Sequence, residues 1–234
     1  MIEQVFDAQE LAAIASTDTA ANKVRALALA YGTEYGFCRF FRQGTAYLSV
    51  LDKSAVLCGA VADFEELAQF LLINGFSELF CTTAAAQGLC REVDFSRADV
   101  NQMTFAGTLK PLEFDFSPPL RQVYDILKTG FDVPFEPWYL DMSHRVRHGV
   151  SRVAVLDGSC LCVQHELCGE ALLSQIATLP ELRRQGRAQR LIRAVCARLS
   201  GEQVRLLCED ALVGFYENVG FVRSGAFSIL SPRT

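Results

Sequence analysis

Apolar and polar residues alternate along this chain with a period that changes several times, and each change marks an element. Residues 7–15 and 20–30 repeat at helical spacing, the second stretch rich in alanine and leucine. The period then shortens. Residues 37–42, 46–51 and 54–59 are three strand-like runs parted by Gln43-Gly44-Thr45 and Asp52-Lys53, which read as hairpin turns. Asp63 can cap a helix whose buried face is Phe64, Leu67, Ala68, Leu71 and Leu72 and which ends at Asn74-Gly75. A strand at 78–82, a helix at 84–92 and a strand at 100–109 complete the first half.

The second half opens with a proline-punctuated connection, Lys110-Pro111 to Pro118-Pro119, in which Phe114 and Phe116 alternate with Glu113 and Asp115 as in a strand. A helix is expected at 120–129, stopped by Gly130. Pro134 and Pro137 interrupt residues 131–139, so helix resumes near Pro137, a first-turn position, and runs to Gly149. Residues 150–156 and 160–167 form a hairpin through Asp157-Gly158-Ser159. Residues 169–179 read as a buried central strand that stops at Pro180. Beyond a loop, Ala188, Leu191, Ile192, Val195 and Leu199 recur at three- and four-residue spacing, the stripe of an amphipathic helix closed by Gly201.

That loop carries Arg183, Arg184 and Arg187 around Gln185 and Gly186. Strand, basic glycine-containing loop and helix start together aim free backbone N–H groups and the positive end of a helix dipole at one point, which suits an anion. The Gly-x-x-x-x-Gly-Lys-Ser/Thr spacing is absent and no Gly-x-Gly-x-x-Gly comes after a strand, so neither a nucleoside triphosphate nor a dinucleotide is indicated. The residues Arg183-Arg184-Gln185-Gly186-Arg187-Ala188 resemble the acetyl-CoA loop of the GNAT N-acetyltransferases, Arg/Gln-x-x-Gly-x-Gly/Ala. Phe215-Tyr216-Glu217-Asn218-Val219-Gly220-Phe221 is similar to that family's second signature, and the resemblance spans residues 118–230.

The resemblance implies an α/β fold, a mixed, mostly antiparallel sheet flanked by helices, and roles for single residues. Backbone groups of Ile176, Ala177 and Thr178 would hold the pantetheine arm of acetyl-CoA, with Thr178 as the donor to the oxyanion. Arg183, Arg184, Gln185, Gly186, Arg187, Ala188 and Gln189 would hold the pyrophosphate. Tyr216 would protonate the departing thiolate, a role that suits a phenol near pKa 10. The positions that often supply a base are Leu172 and Ser174, neither of them basic, so Glu170, on the same strand face, is the candidate base, with Glu166, Glu209 and a water chain as alternatives. The loop between the first two helices would wall the acceptor site with Phe131, Phe135, Trp138 and Tyr139, residues that could equally be core. The first half has the same order of elements, but its junction at 58–64 has no arginine and no phosphate-loop pattern, so residues 1–110 are expected to be a degenerate copy of the fold, with an unrelated small α/β domain as the alternative, and 111–234 the acetyltransferase domain.

Composition narrows the partners. Of 234 residues half are apolar, enough for a packed core, and the net charge of −5 disfavours nucleic acid. No apolar run approaches eighteen residues and the first residues are acidic, so no membrane span or secretory leader is expected and the location would be cytoplasmic. Nine cysteines without Cys-x-x-Cys pairs read as small buried hydrophobes, and His144 and His148, four apart but lacking a third ligand, make no metal site. The expected activity is acetyl transfer from acetyl-CoA to a primary amine, on a small molecule or peptide, in a ternary complex. The alternatives are a non-catalytic acyl-CoA-binding or interaction protein and a basic face at Arg183–Arg193 for an acidic partner or nucleic acid.

Overall fold

The computed structural model describes residues 1–109 and 111–233, so Lys110, with which the connection opens, lies outside the described residues. The chain folds as two compact units, Met1–Asn101 with the chain from Gly225 onward, and Gln102–Ser224.

In the first unit, β1 (Glu3–Gln4), which the periodicity does not announce, precedes α1 (Ala8–Ala12) and α2 (Thr19–Tyr31). Both helices start at an aspartate whose side chain accepts a first-turn N–H, Asp7 from Gln9 and Asp18 from Ala21. The strands β2 (Cys38–Gln43), β3 (Ala46–Leu51) and β4 (Ser54–Cys58) pair antiparallel. The first turn is tighter than the sequence suggests, since Gln43 pairs with Ala46 and leaves Gly44-Thr45 as a two-residue loop; the second is Asp52-Lys53 as expected, with Asp52 at φ +53°. Then come α3 (Phe64–Asn74), β5 (Glu78–Thr82), parallel to β4, and α4 (Thr83–Glu92). The order β1-β2-β3-β4-β5 is continued by the last strand of the chain, antiparallel to β5. Leu48, Leu57, Leu67, Leu71, Leu79 and Leu89 lie in the core between these strands and the helices α3 and α4.

The strand expected at 100–109 is β6 (Phe95–Phe105), displaced toward the N-terminus. Phe95 is buried in the core, but Ser96, Arg97 and Asp99 after it break the apolar pattern; distant partners hold the strand, Ser228 donating to Asp99 at 2.6 Å and Thr104 to Ser224 at 2.7 Å.

The second unit contains α5 (Leu120–Leu127), α6 (Phe135–Arg147), β7 (Arg152–Leu156), β8 (Ser159–Leu167), β9 (Glu170–Thr178), a 3₁₀ turn (Pro180–Leu182), α7 (Arg187–Arg198), β10 (Gln203–Cys208), α8 (Asp210–Val219) and the first residues of β11 (Phe221–Pro232). Helix α6 begins two residues before Pro137, because Pro134 caps it and the N–H missing at Pro137 belongs to the first turn, where no intrahelical partner is available. The order is β7-β8-β9-β10-β6-β11, antiparallel from β7 to β9 and parallel between β9 and β10. Alternate residues face opposite layers. Ala154, Leu161 and Val163 pack with Leu191, Ile192 and Val195 of α7 and Val213 of α8, while Val153, Cys160 and Cys162 pack with Val123 and Leu127 of α5 and Met142 of α6. Asp115 bridges to Val155, so the alternation within the connection does form a strand contact.

Most of the cysteines are buried in these layers as free thiols and Cys168 is exposed; burial pushes the Cys160 thiol up to about 12. Among the described residues no helix is long and apolar enough to cross a membrane.

Candidate active site

Strand β9 changes character halfway along. From Glu170 to Leu173 it pairs with β10, and among the described residues that pairing ends at Leu173–Leu206. The next residues leave register with β8 as well: Cys162 faces Ser174 and Cys160 faces Ala177, so Gln175 and Ile176 together oppose the single Leu161. This is a β-bulge, and Gln175 sits in it at φ +51°, in the left-handed region a non-glycine residue seldom visits. Its side chain is held, Oε1 accepting from Trp138 Nε1 at 3.0 Å. Past the bulge the backbone has one open edge. Leu179 donates its N–H to Gly158 O at 3.0 Å on the β8 side, and successive residues alternate edges, so the N–H and C=O of Thr178 face the side that β10 has left. By the same alternation half-buried Ile176 shares the open edge with Thr178, whereas the backbone of buried Ala177, expected against the pantetheine arm, faces β8 beside Cys160.

The strand runs through the 3₁₀ turn into the basic loop. Arg184 takes φ +60° and Gly186 φ +72°, and Gly186 is the N-cap of α7, with no side chain capping the helix. The first N–H groups of α7 therefore point outward. A Cβ built on Gly186 meets nothing within 4 Å, so the position is open in front and its glycine is required by φ. Loop, helix start and strand end enclose a cleft of about 490 Å³ lined by Thr178, Arg183, Arg184, Gly186, Gln189 and Phe215 among others. An open, uncapped helix start with guanidinium groups beside it fits a diphosphate, and a strand edge leading into it fits an amide-bearing arm.

The arginines divide between support and exposure. Arg183, expected as an anion ligand, donates Nε to Thr178 O at 3.0 Å and a terminal N–H to Thr129 O at 2.8 Å. Arg187 donates to Asp157 O at 2.9 Å and to Gln185 Oε1 at 3.2 Å, and Arg190 pairs with Asp157 at 3.0 Å. The turn of the β7–β8 hairpin thus braces the loop. Gly158, beside Asp157, sits at φ +73°, and a Cβ there would stand 2.3 Å from Leu182 Cδ1. Arg184 is exposed and, among the described residues, has no ion pair or side-chain hydrogen bond, which leaves its charge available.

Tyr216 of α8 is 8 % exposed and packed in the core, its ring centroid 5.0 Å from that of Phe215, which lines the cleft. Burial first, and then the nearby Cys208 thiol, push the phenol up to about 12, which keeps it protonated. Phe215 is a lining residue that the sequence does not single out; its place in the signature beside Tyr216 is the available signal.

Glu170, the expected base, is corrected by its surroundings. It begins β9, eight residues before Thr178, hence roughly 26 Å away at about 3.3 Å per residue. It is 2 % exposed and accepts from both His165 Nε2, at 2.8 Å, and Arg205. A carboxylate buried against two partners holds three strands together and offers nothing to an amine. Glu166 pairs with Arg152 at 3.0 Å. Glu209 is exposed just past the last residue of β10, at the end of the sheet where β9 and β10 part. Leu172 is buried, and Ser174 Oγ lies 3.5 Å from Cys162 O.

The expected aromatic residues Phe135, Trp138 and Tyr139 form an edge-on and tilted cluster, joined by Tyr124, which is unremarked in the sequence. Its ring lies 4.8 Å from Phe135 and 5.5 Å from Trp138, and Phe135 lies 5.2 Å from Tyr139. Trp138 is core, whereas Phe131 and Tyr139 are each 38 % exposed. Among the described residues no group of three metal-ligating side chains occurs.

Residues 147–223 match the family model of the acetyltransferase (GNAT) domain. No curated protein matches the chain. Among solved structures, a GCN5-related N-acetyltransferase from Sphaerobacter thermophilus is similar with a TM-score of 0.63 at 16 % identity, covering 100 % of this chain and 96 % of its own. Another from Kribbella flavida gives 0.63 at 13 % identity, over 92 % and 95 %. A tandem GNAT protein from the clavulanic acid biosynthesis pathway gives 0.57 at 12 % identity, over 99 % and 98 %. The fold is accordingly α/β, two GNAT halves, each a mixed sheet flanked by helices.

Proposed function

With residues 147–223 forming a GNAT domain, we propose that this chain transfers the acetyl group of acetyl-CoA to a primary amine, the two substrates meeting in one ternary complex. The observation that carries the reading is the continuous run from the open edge of β9 into the uncapped start of α7. The backbone N–H and C=O of Ile176 would bind a pantetheine amide as an added strand would, the Thr178 C=O being already taken by Arg183. The N–H groups from Arg184 to Gln189, with the uncommitted Arg184 guanidinium, would bind the diphosphate.

In the transfer the amine nitrogen attacks the thioester carbon, the C–S bond breaks, and the amine proton leaves to water, with Glu209 the exposed carboxylate at that end of the strands. The N–H of Thr178 faces the open edge and would stabilise the oxyanion. Tyr216, held protonated by burial, would deliver its proton to the departing sulfur and regain one from solvent, which has taken up the proton of the amine. We further propose that residues 111–234 act as the catalytic domain and 1–110 as a half without donor site, and that the acceptor is a small molecule or peptide carrying an amine that rests against Phe131, Phe135 and Tyr139.

Acetyl-CoA at a hundred times its dissociation constant should stabilise the protein by about 2.7 kcal/mol, seen as a rise in Tm, and thiol release with a panel of amines should then reveal turnover. No stabilisation would sink the donor site. Because neither Leu172 nor Ser174 can act as a base, a binder without catalysis is the second reading; stabilisation without thiol release from any amine would establish it.

A further inference from the structure

The bulge in β9 raises a question of residue choice. Its first position sits at φ +51°, where glycine would be free of strain, yet it is glutamine. The side chain supplies the reason: Gln175 Oε1 accepts the indole N–H of Trp138 at 3.0 Å, and Trp138 is 6 % exposed in the layer formed by α5 and α6. The bond joins the two parts of the site. Gln175 stands just beyond the last β9–β10 pair, where the open edge begins, and Trp138 belongs to α6, which also bears Phe135 and Tyr139.

We infer that Gln175 and Trp138 are positioning residues, a pin that ties the aromatic helix α6 to the strand edge taken by the acyl donor, so that donor binding is felt at α6. The inference rests on the acyl-CoA reading of that edge. With a bulge set by backbone alone, α6 would be held against the strand only by the undirected apolar packing of Trp138 and Met142. A side-chain bond at the bulge fixes the aromatic wall to the place where the thioester would lie, and misplacement of reacting groups by an ångström costs roughly a hundredfold in rate.

Trp138 is the single tryptophan of the chain, so its fluorescence reports this bond directly. The experiment titrates acetyl-CoA into the full-length protein, exciting the red edge of the indole band clear of adenine absorption, beside calorimetry on the same samples. In the wild type the emission should shift saturably with the calorimetric Kd. Gln175→Gly, which accepts the bulge conformation without strain, should bind acetyl-CoA within about threefold of wild type but lose the emission response. Gln175→Glu, which keeps an acceptor oxygen, should restore it. Emission that stays silent while calorimetry shows binding would overturn the pin. So would a response that survives Gln175→Gly, because the donor would then reach the indole without it. Failure of the acyl-CoA reading looks different: calorimetry of the wild type would show no binding at all.

Discussion

Two helix starts in this molecule occupy the same place in the same order of elements, and they are finished in opposite ways. Helix α7 begins at Gly186 with no capping side chain, after a loop of arginines. Helix α3 also comes after a strand whose neighbour runs parallel, but its start is closed: Asp63 accepts from Glu66 N at 2.9 Å, Gln43 Oε1 accepts from the N–H groups of Ala62 and Asp63 at 3.1 Å each, and Gln43 Nε2 donates to Glu66 at 2.8 Å. One start presents donors to solvent; the other has satisfied them with its own acceptors and added carboxylates. The strands differ too. No residue of β4 has positive φ, so nothing there corresponds to the bulge of β9. A shared strand-loop-helix architecture therefore does not specify an anion site; the side chains that cap or leave open the helix do.

The largest expected effect lies in the helices that come after the parallel partner strands. Helix α4, after β5, has no tyrosine, whereas α8, after β10, has Tyr216. Tyr216→Phe should lower kcat by roughly ten- to a thousandfold with the acetyl-CoA Kd nearly unchanged. Side-by-side rates, Kd and Tm check this, and an unchanged rate removes Tyr216 from the mechanism. The raised pKa also has a sign: Tyr216 stays protonated below about 12, so its ionisation should cause no fall in rate on the alkaline side before that range.

Next in size, Gly186→Val should weaken acetyl-CoA by about a hundredfold, since a β-branched residue at φ +72° costs about 1–3 kcal/mol and disturbs the N–H groups of the first turn. Normal binding in calorimetry would defeat the loop assignment. Arg193→Ala is the contrast. Its guanidinium bonds Val219 O at 3.0 Å and Asn218 O at 2.8 Å, so the loss should fall on stability, about 1–2 kcal/mol, and leave the Kd near wild type.

Smaller still, Asp63→Ala should cost about 1 kcal/mol of stability in the first half without creating a second donor site. Calorimetry should give one acetyl-CoA per chain for wild type and variant alike, and two equivalents would erase the contrast between the helix starts. The smallest effect is acid dependence. The Gln43 bond, then the terminal ammonium of Met1, holds Glu66 below its usual range. Its contribution is thus present above the unfolded pKa and lost as pH falls through the lower folded one. Glu66→Gln should flatten the acid limb of an unfolding-against-pH profile, and an unaltered limb would show the cap to be electrostatically idle.

The sequence by itself determined the helices, hairpins and central strand, the phosphate-type loop, and the absence of that loop from the first half. These signals are local: capping aspartates, two-residue turns with Gly44 and Asp157-Gly158, and the three-four spacing of α7 act within a few residues of where they stand. Tertiary structure decided the rest, through partners far along the chain. The start of β6 depends on Ser228 bonding Asp99. Burial of Glu170 against Arg205, which removes it as a base, needs β9 and β10 side by side. The bulge at Gln175 is an offset of one residue between strands, and no periodicity within either strand records it. Of the loop arginines, Arg183 and Arg187 turn to backbone carbonyls on other segments, while Arg184 stays open. A side chain's charge is written in its residue type, but whether a neighbour consumes that charge depends on which distant atoms the fold brings within about 3 Å.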